Sequence, residues 1–257
     1  MIKVGVVGAS GRTGSQVVAA LQESQNALLH AAIVSPGSVR IGTSVGATDV
    51  RYSADLSALV GSDVVIDFSV PESSLAAVTW CAAHRVPVVV ATTGHTAQQL
   101  DAIRALATSI PVVIAPNTSL GAAAVAVLSE VAKQMLGDSF DIEVLEIHHR
   151  GKKDAPSGTA KAIVEPLATN AEVVFGREGL RKSGEVGVVS IRGGDVAGEH
   201  TVYFLGHGER IEISHRVTSR EVFGRGAVHL ADKARALRPG VYSARDLLAQ
   251  NTNKMQP

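Results

Sequence analysis

The stretch richest in reactive side chains runs Glu146-Ile147-His148-His149-Arg150-Gly151-Lys152-Lys153-Asp154-Ala155-Pro156-Ser157-Gly158-Thr159-Ala160. A histidine titrates near neutral pH, so one here is suited to deliver a proton while hydride arrives at a neighbouring carbon. Adjacent histidines on an extended chain point to opposite sides, and His148 and His149 therefore cannot do the same job from one face. Ser157 can cap a helix whose start is signalled by Pro156-Ser157. The Gly158 and Thr159 amides, with the Thr159 hydroxyl, then form an anion site of carboxylate size to which Lys152 adds charge. The ordinary alternative is a pair of satisfied histidines beside a solvated basic loop, and the Lys152 and Ser157-Gly158-Thr159 context favours chemistry over it. The histidines lack the further ligands at matched spacing that zinc would need, so no metal is expected.

A second block lies at the amino terminus: Gly8-Ala9-Ser10-Gly11-Arg12-Thr13-Gly14, after a strand-like run ending at Val7 and before a helical pattern. Gly8 permits a tight turn, Gly11 permits close backbone approach, and amides at the helix start point at an anion, which suits the diphosphate of a nicotinamide dinucleotide. The spacing is G-x-x-G-x-x-G, and its strand-turn-helix setting carries more weight than the glycines alone. NAD-selective sites place a carboxylate after the second strand, yet no Asp or Glu occurs between Glu23 and Asp49. Ser35, Ser38 and Arg40 lie near instead, with Arg12 in the turn, so NADPH is expected to be accepted at least as well as NADH.

These blocks need elements to hold them. Short β-branched runs at Ile2 to Val7, Leu29 to Val34, Val64 to Phe68, Val86 to Ala91 and Val112 to Ala115 alternate with amphipathic segments at Thr13 to Gln25, Glu72 to His84 and Thr96 to Thr108. Strands buried on both faces and joined by helices imply a doubly wound α/β domain with a parallel sheet, a Rossmann domain. Asp67-Phe68-Ser69, Thr92-Thr93-Gly94 and Pro116-Asn117-Thr118 then stand at successive strand ends, where such sheets bind ligands. After Asn117 the pattern changes: a helix from about Leu120 to Met135 precedes strands at Asp141 to His148, Val186 to Arg192, His200 to Leu205 and Arg210 to Val217. A second, α+β domain on a mixed sheet is expected over 119–226, with 1–118 completed by 227–257, where Pro239-Gly240 reads as a turn before a last short helix. Trp80 and Cys81 read as helix core. His200, His207, His215 and His229 read as structural or solvent-facing, and Arg192 and Arg220, after strand-like runs of the second domain, are weaker candidates for a carboxylate or a subunit contact, with neither role favoured.

Composition narrows the partners. The chain has 257 residues, 24 Lys plus Arg and 24 Asp plus Glu, so no charge excess draws it to nucleic acid or an anionic membrane, and a small molecule is the expected partner. The single cysteine forms no internal disulfide, no amino-terminal leader pattern is read, and no uninterrupted apolar run suggests a membrane helix, so a cytoplasmic protein is expected.

With these blocks in view, the sequence resembles the 4-hydroxy-tetrahydrodipicolinate reductases, also called dihydrodipicolinate reductases, of the bacterial and plant lysine and diaminopimelate pathway. The likeness runs nearly end to end through Val7 to Gly14, Asp67-Phe68-Ser69, Ala91-Thr92-Thr93-Gly94, Ala115-Pro116-Asn117 and the block Glu146 to Ala160, whose pattern E-x-H-H-x-x-K-x-D-A-P-S-G-T-A is highly specific to the family. The resemblance implies reduction of the cyclic product of the preceding synthase step to tetrahydrodipicolinate by NADPH or NADH, with loss of water from the 4-hydroxyl before or during reduction. It implies His148 as proton donor or acceptor and Lys152 as a second proton donor, with His149, Lys152, Gly158 and Thr159 on the substrate carboxylates. It implies cofactor contacts from Gly8, Ala9, Ser10, Gly11, Arg12 and Thr13, with Phe68, Ala91, Thr92, Thr93, Ala115, Pro116, Asn117 and Thr118. A homotetramer built through the second domain's sheet, with domains that close over substrate, is also implied. Many members carry an acidic residue where this chain has Val34 and a basic one where it has Ser35, so cofactor preference does not carry over. A reductase of another small dicarboxylate and a catalytically silent dinucleotide sensor are the competing readings, and the intact His148 and Lys152 argue against the sensor.

Overall fold

The β-branched runs of the first half are too apolar to show either face to water, and they assemble into one sheet. In the computed structural model, which describes residues 1–252, the first half of the chain forms β1 (Ile2–Val7), α1 (Gly14–Gln22), β2 (Ala27–Ile33), β3 (Tyr52–Ser53), β4 (Val64–Asp67), α2 (Pro71–His84), β5 (Val88–Val90), α3 (Ala97–Leu106) and β6 (Pro111–Ile114). There follow α4 (Leu120–Leu136), β7 (Asp141–His148), α5 (Gly158–Leu167), β8 (Val173–Phe175), β9 (Val186–Arg192), β10 (Glu199–Leu205) and β11 (Arg210–Arg216). The chain ends with α6 (Glu221–Ala234), β12 (Gly240–Ser243) and α7 (Ala244–Thr252). Two units result, one of Met1–Ser119 with Arg220–Gln250 and one centred on Leu120–Ser219.

The first unit is a seven-stranded sheet in the order β12-β6-β5-β4-β1-β2-β3, parallel at every pairing. From β1 the chain winds outward both ways, so the strand order reverses between β1 and β4, and right-handed crossovers put α1 opposite α2 and α3. Val65, Val88, Val90 and Val112 pack under Ala77, Val78 and Cys81 of α2 and Ile103 of α3. Trp80 departs from the core reading: it is only partly buried and stacks on His84, with ring centroids 3.9 Å apart. Across the sheet α6 lies so close to α1 that a Cβ on Gly224 would stand 2.3 Å from the Gln16 carbonyl oxygen. The sequence reading missed β3 and β12 here, and β8 in the second unit; Pro239-Gly240 leads into a strand parallel to β6 before the last helix.

The second unit carries a five-stranded mixed sheet, β11-β10-β7-β9-β8, antiparallel at β10 and parallel from β7 to β8. Helices α4 and α5 close one face, where Val125, Ala126, Ile163 and Leu167 meet Ile142, Val144, Val188 and Phe204. The stretch Leu120–Ser139 is long and apolar enough by composition to cross a membrane, but α4 spends its inward side on this core. The burial of β7 alternates strictly from Ile142 to His148, which puts Glu146 and His148 on the helix-covered face with Ile142 and Val144.

Candidate functional site

In the first unit the glycine turn is shaped by contacts that exclude side chains. Gly8 has φ +77°, and a Cβ there would stand 2.3 Å from the Phe68 carbonyl oxygen. A Cβ on Gly14 would lie 2.0 Å from the Gly8 carbonyl oxygen, so both ends of the turn admit only glycine. The Gly8 and Ala9 amides donate to the Ile33 carbonyl at 2.9 and 3.0 Å, and the Gly11 amide donates to that of Gly8 at 2.9 Å. The amides of Ser10, Arg12, Thr13 and Gly14 take no part in the turn's own backbone hydrogen bonds among the described residues, and they gather at the start of α1. A cradle with no room for a Cβ and with spare donors at a helix start fits a dinucleotide diphosphate.

The other expected cofactor residues sit at the ends of adjacent strands. Ala91 and Thr92 are buried after β5, with Thr93 exposed; Ala115 and Thr118 are buried after β6, around an exposed Pro116 and a half-buried Asn117. The Ala91 amide donates to Asp67 and the Ala115 amide to Val90, at 2.9 and 2.8 Å, which carries the parallel register past the strand ends. Thr118 Oγ1 donates to the Phe223 carbonyl at 2.7 Å and ties this edge to α6. Asp67 is fully buried, and burial raises its pKa above the usual carboxylate range. Its Oδ1 accepts the Ser69 amide at 3.1 Å, so this carboxyl holds the turn after Phe68 rather than facing solvent. Ser35 lies exposed just beyond β2. Arg12 is exposed, while Arg40 lies over the Tyr52 ring, 5.9 Å from its centroid.

In the second unit β7 delivers Glu146 and His148 into a buried polar cluster. Glu146 is 0% exposed, and its Oε1 accepts from Arg192 Nη2 at 2.6 Å and from the Ser157 amide at 3.3 Å. Its Oε2 meets His148 Nδ1 in a short contact. Ser157 caps α5, its Oγ accepting the Ala160 amide at 3.1 Å and facing His200 Nε2 at 3.2 Å. The rings of His148 and His200 meet edge to face, centroids 5.2 Å apart. Lys152, 22% exposed in its side chain, pairs with Asp154 at 2.9 Å. His149 is half-buried, with its amide on the Val196 carbonyl at 2.7 Å; Gly158 is exposed and Thr159 half-buried in the first turn of α5.

The electrostatics follow from burial and from who is charged. Burial opposes ionisation of Glu146, but hydrogen bonds from Arg192 and Ser190 with the charges of His148 and Arg192 overcome it and hold the carboxyl below its usual range. Burial lowers the His148 pKa; the Glu146 charge and hydrogen bond work the other way without cancelling it. Burial, with His148 nearby, pushes His200 down to about 4, so it is neutral at physiological pH. Glu146, His148 and His200 bring donor atoms within 4.8 Å of one another, a spacing that metal ions use. Both Glu146 oxygens are already engaged, by Arg192, Ser157 and His148, while His200 Nδ1 and Arg192 Nε are buried with no hydrogen-bond partner among the described residues.

Two members of this cluster, Glu146 and His200, were not singled out as site residues by the sequence reading, and a third, Arg192, was given only as a weak candidate for a carboxylate or subunit contact. Arg192 contacts a carboxylate, and it is the protein's own. His200, taken as structural or solvent-facing, is 3% exposed and adjoins His148. Their convergence is set by strand register, which pairs His200 with Glu146 and Arg192 with His148. Arg220 is exposed at the start of α6, in the first unit.

Comparison with known proteins matches residues 2–118 to the model of the dihydrodipicolinate reductase N-terminus and residues 121–248 to that of its C-terminus. A 4-hydroxy-tetrahydrodipicolinate reductase of Syntrophotalea carbinolica is 43% identical, the match covering 96% of this chain and 99% of the relative. One from Geotalea uraniireducens is 42% identical over the same shares. Among solved structures, a dipicolinate-bound dihydrodipicolinate reductase from a Paenisporosarcina species superposes with TM-score 0.78 at 23% identity, covering 95% of this chain and 97% of that one. A probable dehydrogenase from Thermotoga maritima shares the fold, with TM-score 0.66 at 13% identity, covering 99% of this chain and 98% of that one.

Proposed function

The chain belongs to the dihydrodipicolinate reductase family and catalyses NAD(P)H-dependent reduction of 4-hydroxy-tetrahydrodipicolinate in lysine and diaminopimelate biosynthesis, and from that premise we propose that His148 supplies the proton. Hydride and one proton enter, the 4-hydroxyl leaves as water, and tetrahydrodipicolinate results. The nicotinamide, when bound, supplies the hydride. The observation that carries the reading is the buried imidazole of His148 on the strand that leads directly into Lys152 and the capped start of α5. A proton source and an anion site are thus built into one strand-loop-helix segment. His149, Lys152, Ser157, Gly158 and Thr159 hold the substrate carboxylates, and Lys152 serves as second proton donor. Gly8 to Thr13, Ser35, Phe68, Ala91 to Thr93 and Ala115 to Thr118 hold the cofactor.

The test couples freshly generated synthase product to NADPH or NADH oxidation. Oxidation that depends on that product supports the reading, and none with either cofactor overturns it. NADPH is used at least as well as NADH, supported by the exposed Arg12 in the turn and by the lack of an acidic residue after β2. Loss of a hydrogen bond to a charged group costs about 1.5–3 kcal/mol, so Arg12→Ala is expected to weaken NADPH by roughly ten- to hundredfold and NADH little. Equal weakening of both in a binding titration would move the 2′-phosphate contact elsewhere.

The second unit's sheet has an uncovered face on which Val189, Ile191 and Leu205 are 43%, 44% and 37% exposed. An apolar sheet face of this kind calls for a cover, and it supports assembly as a homotetramer through this sheet. The reaction belongs in the cytoplasm, in keeping with the biosynthetic role of the relatives.

A further inference from the structure

We propose that Glu146 is a positioning residue for the proton transfer: it holds His148 with Nδ1 turned inward and Nε2 open to substrate, and Arg192 anchors the carboxylate that does so. The inference rests on the reading of His148 as proton donor.

A carboxylate only accepts hydrogen bonds, so the imidazole nitrogen that meets Glu146 Oε2 must carry a proton in both charge states of the ring. That fixes the neutral tautomer as Nδ1–H. The proton that comes and goes then sits on Nε2, the nitrogen turned toward the Gly198 backbone. Gly198 passes over the ring, and a Cβ there would stand 3.0 Å from Nε2 and 3.4 Å from Cδ2. Glu146 itself is pinned by Arg192 Nη2 at 2.6 Å and by the Ser157 amide at 3.3 Å. Arg192 is held in turn, its Nη2 also donating to the Asp154 carbonyl at 2.7 Å. The segment that carries Lys152 and the α5 cap is therefore tied to the same carboxylate that orients the imidazole.

The charge balance gives the sign of the pH effect. His148 is faced by Glu146 from β7, Lys152 from the loop after it, Arg192 from β9 and His200 from β10, and among these only Glu146 raises its pKa. A donor works protonated, so activity falls as pH rises through the His148 pKa. Removing the Glu146 charge leaves burial, Lys152 and Arg192 unopposed and moves that alkaline limb to lower pH.

Glu146→Gln is expected to lower kcat by roughly 10²–10⁴-fold and to shift the alkaline limb of kcat downward by about one pH unit, with dinucleotide affinity unchanged. A limb that stays in place, or kcat within about threefold of the parent, overturns the proposal. His148→Gln separates the two readings. If it retains kcat, the proton-donor assignment itself fails; if it loses kcat while Glu146→Gln leaves the limb in place, only the positioning role fails. Should Glu146→Gln not fold, ¹⁵N NMR of the histidine-labelled parent decides, with His148 signals assigned by their loss in His148→Gln. Above the His148 pKa, a protonated Nδ1 and bare Nε2 are expected, and the opposite tautomer overturns the proposal.

Discussion

His148→Gln is expected to lower kcat by roughly 10²–10⁴-fold while leaving the dissociation constants for NADPH and NADH within about twofold. A glutamine amide can keep a hydrogen bond to Glu146 but has no proton to give near neutral pH. The loss therefore falls on the transition state, where the proton is needed, and not on ground-state binding. The cradle we propose for the dinucleotide is formed by other residues, at the ends of β1, β4, β5 and β6, so cofactor titration is a clean control. Steady-state kinetics with a fluorescence titration checks both halves. A matching loss of cofactor affinity would assign His148 a structural role.

Gly8→Val is expected to abolish dinucleotide binding, raising Kd by at least about a hundredfold, and to destabilise the protein by about 2–4 kcal/mol. Two costs add. An L-residue at φ +77° is strained, and its Cβ would be 2.3 Å from the Phe68 carbonyl oxygen. That carbonyl cannot retreat, because the Phe68 amide is held by the Val7 carbonyl at 2.9 Å. In calorimetry the melting temperature should fall by roughly 5–15 °C. Gly11→Ala provides the contrast: its Cβ would meet only the Gly8 carbonyl oxygen closely, at 3.1 Å, so stability should change little while diphosphate binding suffers. Parent-like affinity in Gly8→Val would separate the turn from the cofactor.

What was legible in the sequence was local. The Val7 to Gly14 turn, the strand ends at Phe68, Ala91 and Ala115, the capping role of Ser157 and the mixed character of the second sheet all follow from residue type and spacing within one element and its neighbours. What was not legible depends on pairing across long stretches of chain. Nothing near His200 announces that β10 will set it opposite Glu146, or that β9 will set Arg192 opposite His148; a shift of one residue would turn each side chain to the other face. One signal was available. Ile142, Val144, Glu146 and His148 share one side of an alternating strand, and a carboxylate in line with two core residues demands a buried cation or donors. The missed strands are short for a different reason: β3 has two residues, β8 three and β12 four, and each exists through pairing, with β2, β9 and β6 respectively, rather than through a long apolar run.

The first unit is interrupted in the chain, since α6 and β12 follow the whole of Leu120–Ser219. Synthesis is vectorial, and at about 5–20 residues per second the ribosome takes roughly 5–20 s to make that intervening segment. During that interval the side of α1 that Gly224 will cover is bare, and β6 is an open edge waiting for β12. The second unit, contiguous in sequence over Leu120–Ser219, can be folded before the first is finished. A transcript cut short before Arg220 would thus yield an incomplete sheet with a sticky edge, and the last stretch of the message decides whether the first unit is closed.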